Sequence, residues 1–163
     1  MAKKTINDYN FKDKKVLMRC DFNVPLDGEL NITDDRRIVS SLPSIHKVIS
    51  DGGALVLCSH LGRPKGEIKP EMSLKPVAER LSQVLNLKVN LAPDCIGSDV
   101  EQLKKSLSAG DVLLLENLRY HKEETANGQD FAAKLAMGID VFVNDAFLQP
   151  TGHMHPLKVL LIL

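Results

Sequence analysis

Charged and amide side chains follow several short apolar runs of the sequence, and their types suit the binding of a small anion. The fork-shaped guanidinium of arginine matches the oxygens of a phosphate or a carboxylate, and histidine and lysine add further donors. Asp21 and Asn23 lie two residues apart, so in an extended segment they point the same way. The segments concerned are Arg19–Pro25, Ser59–Gly66, Glu116–Lys122 and Asn144–Phe147.

Four basic side chains from different segments could converge on one phosphate or carboxylate group. Two arginines begin a predicted helix, where positive charge near the positive end of the helix dipole is unfavourable unless an anion is close. For each arginine the alternative is a solvated surface residue, and for Asp21 and Asn23 it is a turn cap. The four residues are Arg37, His60, Arg63 and Arg119, and Arg36 is the second arginine at the helix start.

Apolar runs alternate with amphipathic stretches along the chain, which predicts strands alternating with helices. Continuous apolar runs are typical of strands in a parallel sheet that is covered on both faces. The predicted strands are Lys15–Cys20, Ala54–Ser59, Leu87–Leu91, Val112–Leu115 and Val141–Asn144. The predicted helices are Asp34–Ser50, Ser73–Leu85, Ser98–Leu107 and Gln129–Met137.

Residues at the boundaries of the first predicted helix support this assignment. Thr33 and Asp34 can cap its start, and Gly52–Gly53 can end it. Pro43 lies inside the helix and is expected to kink it. The alternation predicts an open parallel α/β sheet, in which ligands bind beside the carboxyl ends of the strands. The basic segments stand at those ends.

The composition limits the classes of partner. The 163 residues fit one domain, and 21 basic residues balance 21 acidic ones, so nothing global attracts nucleic acid or an anionic membrane. No window approaches the about 20 apolar residues of a membrane span, and the chain is predicted to be cytoplasmic. Cys20, Cys58 and Cys95 form no CxxC pair, which argues against a disulfide framework and a zinc site. The first two lie in apolar runs and are expected to be buried thiols.

Neither of the common phosphate-binding loops occurs in the sequence. There is no GxxxxGKS or GxxxxGKT, and Gly62–Gly66 does not fit GxGxxG, so no cofactor site is expected in this chain. His153 and His155 could bind a metal ion, but no third ligand is evident, and zinc sites need at least three protein ligands. No metal site is therefore assigned.

Five segments resemble, in the same order, the N-terminal domain of phosphoglycerate kinases. The similarity extends from about Thr5 to Phe147. It implies a Rossmann-like three-layer α/β domain with a parallel sheet flanked by helices. The most specific segments are Arg19–Pro25 (RCDFNVP) and Ser59–Gly66 (SHLGRPKG), and the others are Asp35–Ile38, Glu116–His121 and Val143–Phe147.

The resemblance implies a monomeric, two-lobed glycolytic phosphotransferase with a carboxyl acceptor. In that family 1,3-bisphosphoglycerate and ADP are converted to 3-phosphoglycerate and ATP. The N-terminal lobe binds 3-phosphoglycerate or 1,3-bisphosphoglycerate, and the C-terminal lobe binds Mg-ADP or Mg-ATP. Arg37 would be catalytic, since its counterpart steadies the phosphoryl group in flight. Carried over to this sequence, the substrate contacts are Asp21, Asn23, Arg37, His60, Arg63 and Arg119.

The sequence departs from the family pattern after Phe147. The family continues with Gly-Thr-Ala-His-Arg-Ala-His, whose arginine contacts the substrate, whereas residues 148–156 read LQPTGHMHP. The expected organisation is a substrate-binding domain over residues 1–147 and a divergent apolar tail over residues 148–163, without the nucleotide-binding lobe. The tail is expected either to cover core as a strand or helix, or to mediate self-association.

The sequence leaves two functions open. The first is a kinase lobe that binds 3-phosphoglycerate but does not complete the reaction alone, so its status as an enzyme is undecided. The second is a non-catalytic binding or regulatory module that keeps the α/β scaffold and uses the tail as a partner interface. Neither function requires nucleic acid or a membrane.

Overall fold

A six-stranded β-sheet forms the centre of the computed structural model, which describes residues 5–125, 128–145 and 159–162. The strands are β1 (Lys15–Arg19), β2 (Ala54–Cys58), β3 (Val89–Leu91), β4 (Val112–Leu114), β5 (Val141–Asn144) and β6 (Val159–Ile162). Their order across the sheet is β3-β4-β2-β1-β5-β6. Strands β1 to β5 are parallel, and β6 runs antiparallel to β5.

The parallel part of the sheet contains all five predicted strands. Strands β1, β2 and β4 end slightly earlier than predicted, and β3 begins slightly later. Strand β6 corresponds to the strand alternative for the tail, because Val159 pairs with Asn144 and Ile162 pairs with Val141. The rest of the tail, residues 148–158 and Leu163, lies outside the described residues.

The described residues form five α-helices and three short 3-10 helices. The α-helices are α1 (Arg36–Ser50), α2 (Lys75–Leu85), α3 (Ser98–Lys105), α4 (Lys122–Thr125) and α5 (Gln129–Ala136), and the 3-10 helices are Ile6–Asp8, Pro70–Met72 and Leu118–Tyr120. The sequence predicted all of the α-helices except α4, which is too short to show a period. Each helix in these ranges is too short or too polar to cross a membrane.

The boundaries of α1 agree only in part with the prediction. Asp35 occupies the N-cap position in place of Thr33 or Asp34. Asp34 still contributes, because its Oδ1 accepts a 3.0 Å hydrogen bond from the backbone N–H of Arg36. At the other end Gly52 has a φ of +92°, a left-handed conformation that suits glycine and ends the helix as predicted.

Alternate residues of the strands pack against opposite layers of helices. Val16 and Met18 of β1 belong to a core cluster that includes residues of α1 and α2. Leu17, between them, belongs to a second cluster with residues of α3 and α5. Because successive side chains of a strand point to opposite faces, both faces of the sheet are covered. This confirms the predicted Rossmann-like three-layer α/β domain.

The three cysteines are buried in these two clusters. Cys20 lies in the first cluster, and Cys58 and Cys95 lie in the second. No disulfide is present among the described residues. The predicted burial of Cys20 and Cys58 is therefore confirmed.

Gly53, just after α1, lies where the chain can accept no side chain. Its N–H donates to Val48 O at 3.0 Å, and its carbonyl accepts from Gly110 N at 2.9 Å. A Cβ at this position would lie 2.9 Å from Val48 Cγ1 and 3.0 Å from Phe11 O. Since the overlap includes backbone, the surroundings would have to shift.

We expect Gly53→Ala to lower the free energy of unfolding by about 1–3 kcal/mol, because it overpacks this junction. Gly28→Ala is the matched control, since nothing lies within 4 Å of a Cβ built there. The control should change stability by less than about 1 kcal/mol. Urea denaturation measures both, and equal stabilities for the two variants would contradict the close packing at Gly53.

Candidate functional site

The segments that follow β1, β2, β4 and β5 meet at the carboxyl edge of the sheet. Asp145 N donates to Arg19 O at 2.7 Å, which joins the segment after β5 to the end of β1. Leu118 N donates to Ser59 O at 3.0 Å, which joins the segments after β4 and β2. Phe22 N donates to the Ser59 hydroxyl at 2.9 Å. The basic segments of the sequence are thus neighbours in space.

Arg37, in the first turn of α1, pairs with Asp21 of the segment after β1. Its Nη1 lies 2.8 Å from both carboxylate oxygens of Asp21. Only 17% of the Asp21 side chain is exposed, compared with 47% of the Arg37 side chain. Within the described residues, Nε and Nη2 of Arg37 make no hydrogen bond. The guanidinium is therefore oriented by Asp21 and retains donors for a ligand.

The anions expected beside the arginines of α1 are supplied by the chain itself. Asp34 accepts hydrogen bonds from Nε and Nη2 of Arg36, the second at 2.6 Å. These bonds and the charge of Arg36 lower the pKa of Asp34 to about 2. Asp21 is the anion beside Arg37, with which it forms an ion pair. Both carboxylates offset positive charge at the helix start.

Asn23 attaches the loop after β2 to the segment after β1. Its Oδ1 accepts a 3.0 Å hydrogen bond from the N–H of Gly62. Its own N–H donates to Asp21 Oδ1 at 3.2 Å, so Asp21 also serves as the turn cap that was its alternative role. The two side chains were expected to point the same way, and they contact different partners, Arg37 and Gly62.

Asn117 joins the loops after β2 and β4. Its side chain is fully buried. Oδ1 accepts from the N–H groups of Leu61 and Arg119, at 3.3 and 3.0 Å. Nδ2 donates to the carbonyl oxygens of Leu61 and Met72, at 2.7 and 2.8 Å. Together with the Leu118–Ser59 backbone bond, this amide sets the relative positions of the loops that carry Arg63 and Arg119.

A cavity of about 520 Å³ lies between these loops. It is lined by Arg63, Lys65, Gly66, Arg119 and Lys122. Gly66 has a φ of +78°, and its N–H donates to Arg119 O at 3.1 Å. A Cβ on Gly66 would overlap Lys122 Cγ, so glycine is required there. All the charged residues of the lining are cationic, which suits a small anion with several oxygens.

The structure groups the predicted site residues in two places. Arg63 and Arg119 share the cavity, and Asp21 and Arg37 form their own pair nearby along the sheet edge. His60 is half-buried near the start of the segment after β2 and is not among the residues that line the cavity.

The sequence did not assign Lys65 and Lys122 to the site. Both lie in basic segments that the sequence analysis had selected, Ser59–Gly66 and Glu116–Lys122. Their place in these segments is the one sequence feature that could have assigned them to the site. Spacing could not show that the two lysines share a cavity, because they follow different strands.

Tyr120, in the loop after β4, fastens the Pro70–Met72 region to the site. Its hydroxyl donates to Lys69 O at 2.5 Å. Burial raises the pKa of Tyr120 to about 12, and the negative charges of Glu116 and Glu71 act in the same direction. The hydroxyl is therefore protonated, and able to donate, throughout the neutral range.

The glycine-containing loop after β2 offers no cradle for the phosphates of a magnesium nucleotide. A phosphate cradle needs backbone N–H groups that point outwards from a glycine-rich turn or a helix N-terminus. The N–H of Gly62 donates to Asn23, and the N–H of Gly66 donates to Arg119 O. Because both loop amides are used inside the protein, they offer nothing to a nucleotide phosphate.

The fold defines a parallel α/β domain with a cation-lined cavity at the carboxyl edge of its sheet, the edge at which such domains bind ligands. The sequence model of the family described as phosphoglycerate kinase matches residues 6–154, which is most of the chain and extends past Phe147. The chain belongs to the phosphoglycerate kinase family.

Phosphoglycerate kinases are among the curated relatives and solved structures that match, and this chain corresponds to their N-terminal part. The enzyme from Chlorobaculum tepidum is 58% identical over 147 residues, which is 90% of this chain and 37% of that protein. The enzyme from Chloroherpeton thalassium is 60% identical over 148 residues, with the same two shares. The structure from Coxiella burnetii has a TM-score of 0.77 at 38% identity and covers 89% of this chain and 36% of that chain. This chain therefore spans little more than a third of the proteins it resembles.

Replacing Asn117 by alanine should lower the free energy of unfolding by about 2–4 kcal/mol, because buried backbone groups lose their partners. Asn90→Ala is the matched control, since Asn90 is an exposed residue of β3, and it should change stability by less than about 0.5 kcal/mol. Urea denaturation followed by circular dichroism provides the comparison. A similar, small effect in both variants would show that the loops do not depend on Asn117.

Tyr120 should make stability depend on pH in the alkaline range. The folded pKa of about 12 is above the ordinary value of 10.0, so between them the unfolded chain releases a proton that the folded chain keeps. Tyr120 makes its full contribution to the free energy of unfolding below the unfolded pKa of 10.0. That contribution is lost as pH rises through the folded pKa of about 12. The difference in free energy of unfolding between the unsubstituted chain and Tyr120→Phe should therefore be constant below about pH 10 and shrink above it.

Denaturation of both proteins at a series of pH values measures this difference. All other ionisable groups are the same in both proteins, so the difference isolates Tyr120. A difference that stays constant up to pH 12 would refute the raised pKa.

Proposed function

We propose that this chain binds 3-phosphoglycerate or 1,3-bisphosphoglycerate as the substrate-binding part of a phosphoglycerate kinase in the cytoplasm. The cation-lined cavity at the carboxyl edge of the sheet is the observation that carries the proposal. Both substrates are small acids with at least two anionic ends. A cavity whose charged residues are all cationic suits one of those ends.

The phosphate group of the substrate would occupy the cavity of Arg63 and Arg119. Arginine can donate two parallel hydrogen bonds to one phosphate, and the two lysines add positive charge without such a fork. His60, which follows the same strand as Arg63, would contribute at the border of this cavity. Because Asn117 fixes both loops, the cations are in place before the substrate arrives, which lowers the entropy lost on binding.

The reacting carboxyl end of the substrate would lie beside Arg37, Asp21 and Asn23. Asp21 orients Arg37, whose Nε and Nη2 can donate to an oxygen of the substrate or of the phosphoryl group. The Nδ2 group of Asn23 can reach a hydroxyl. The acceptor is already a carboxylate, so no general base is required, and rate acceleration comes from positioning and from neutralising charge. Arg37 would neutralise the charge on the phosphoryl group during transfer.

The Mg-ADP or Mg-ATP of the family reaction would be held by residues other than those described. The loop amides of Gly62 and Gly66 are occupied by protein acceptors, so this part of the fold supplies substrate binding alone. Residues 1–147 would then form the substrate domain, and phosphoryl transfer would need a nucleotide-binding lobe to close over it. We expect the chain to bind its substrate as a monomer, as members of the family do.

The alternative function, a regulatory module with the tail as its partner interface, has less support. Residues 159–162 pair with β5 of the same chain. The apolar sequence of these residues is explained by their place in this sheet, without a partner protein.

Calorimetric titration of the chain with 3-phosphoglycerate tests the proposal. Arg63→Ala and Arg119→Ala should each weaken binding by about 10- to 100-fold, the range for losing a charge-assisted hydrogen bond. Arg36→Ala is the matched control, because Arg36 pairs with Asp34 outside the cavity, and it should leave the affinity unchanged. Arg37→Ala should weaken binding less than either cavity variant, because its role is in the transfer step.

Added salt should reduce the affinity of the unsubstituted chain, since the contacts are between charges near the surface. The absence of binding at concentrations that saturate a full-length relative would argue against a substrate site. Equal losses in Arg36→Ala and Arg63→Ala would indicate a general charge effect in place of the cavity.

A further inference from the structure

Three side chains that can bind a metal ion lie together on the loops after β3 and β4. They are Asp94, Cys95 and His121, and one ligand atom from each lies within 4.8 Å of the other two. Asp94 Oδ1 is 2.5 Å from His121 Nε2, and the Cys95 thiol donates to Glu116 O at 2.7 Å. We propose that this triad is a binding site for Zn²⁺.

The chemistry of the three groups selects zinc. Thiolate sulfur, imidazole nitrogen and carboxylate oxygen are the ligands that zinc takes in proteins, whereas Mg²⁺ and Ca²⁺ take oxygen ligands. Zinc–ligand bonds of about 2.0–2.3 Å place tetrahedral ligand atoms roughly 3.3–3.8 Å apart. Asp94 Oδ1 and His121 Nε2 would therefore separate by roughly 1 Å to admit the ion. The ion would lie between Asp94 Oδ1 and His121 Nε2, with the imidazole bound as the neutral tautomer that carries its proton on Nδ1. Cys95 would bind as the thiolate, and its proton would pass to solvent.

Contacts around the triad hold the ligands in position. Glu116 N donates to Asp94 O at 3.4 Å, which ties the loop after β4 to the loop after β3. Cys95 N donates to Asp94 Oδ1 at 2.6 Å, which restrains the carboxylate. The ring of His121 packs against Phe131, with ring centroids 5.1 Å apart. Ligands restrained in this way need little rearrangement to bind an ion.

An ion can reach the triad from a second cavity, of about 380 Å³. Asp94 and His121 are among the residues that line it, and their side chains are 46% and 22% exposed. Cys95 is fully buried, so a thiolate there would be shielded from solvent. With three protein ligands, the fourth position would face the cavity and hold a water molecule. This cavity shares no lining residue with the cation-lined one, so the zinc site is separate from the proposed substrate site.

The cysteine spacing argued against a zinc site, because the ligands proposed here come from two different loops. Cys95 lacks a second cysteine at the spacing typical of zinc sites, and His121 stands in a segment that was interpreted through its arginine. Parallel β3 and β4 are neighbours in the sheet, and their following loops therefore lie side by side.

Calorimetric titration of the whole chain, reduced and stripped of metal, with Zn²⁺ alone tests the site. One equivalent should bind. His121→Ala, Asp94→Asn and Cys95→Ser should each weaken Zn²⁺ binding by more than about tenfold, the loss seen even when only the surroundings of a metal ligand are altered. The absence of stoichiometric binding, or unchanged affinity in all three variants, would overturn the proposal.

Matched variants separate the triad from other thiols and imidazoles. His46→Ala removes an exposed histidine, and Cys20→Ser removes a buried cysteine outside the triad. Both should leave the Zn²⁺ affinity unchanged. The double variant His153→Ala and His155→Ala should also bind normally, and loss of binding there would assign the zinc to those two histidines.

Co²⁺ gives a readout of ligand identity that does not rely on affinity. The wild-type complex should show a near-ultraviolet thiolate-to-cobalt charge-transfer band, and Cys95→Ser should lack it, whereas Cys20→Ser should retain it. Circular dichroism shows whether each variant is folded. If Cys95→Ser does not fold, His121→Ala and Asp94→Asn, whose side chains are partly exposed, decide the outcome. A wild-type Co²⁺ complex without the band would exclude Cys95 as a ligand.

Discussion

The buried amide of Asn117 is the interaction on which the carboxyl edge of the sheet depends. Basic side chains on separate loops do not gather by themselves, because like charges repel and long side chains lose rotamer freedom. The amide of Asn117 instead bonds to backbone groups of both loops. Since these bonds are buried, separating the loops would leave polar groups without partners. The loops that carry the cations of the cavity are thereby held together by the protein itself.

The charges at this edge fall into two arrangements with different consequences. At the start of α1, Asp21 and Asp34 neutralise Arg37 and Arg36, so these arginines are oriented by protein carboxylates. In the cavity the lining contains cations and no carboxylate. The chain has equal numbers of acidic and basic residues, so this excess is local and its field is screened within about 10 Å. The first arrangement orients side chains, and the second concentrates positive charge in one cavity.

Residues of the segment after β4 line two different cavities. Arg119 and Lys122 line the cation-rich cavity, whereas His121 lines the cavity of the triad. His121 has an extended backbone, and successive side chains of an extended segment point to opposite sides. Adjacent residues can therefore contribute to different sites. The backbone of this segment is fixed by Asn117 and Tyr120, so the two sites share one support.

The sequence by itself determined the five parallel strands, the four longer helices and the segments at the ligand edge, because hydrophobic periodicity and turn residues are local properties. The resemblance carried by Arg19–Pro25 and Ser59–Gly66 identified the family. Only the tertiary structure decided that Arg37 pairs with Asp21, that the tail strand joins β5, and which residues surround each cavity. These outcomes depend on the order of strands in the sheet and on contacts between distant loops. Spacing along a chain carries no record of either, since the loops become neighbours only when the sheet has formed.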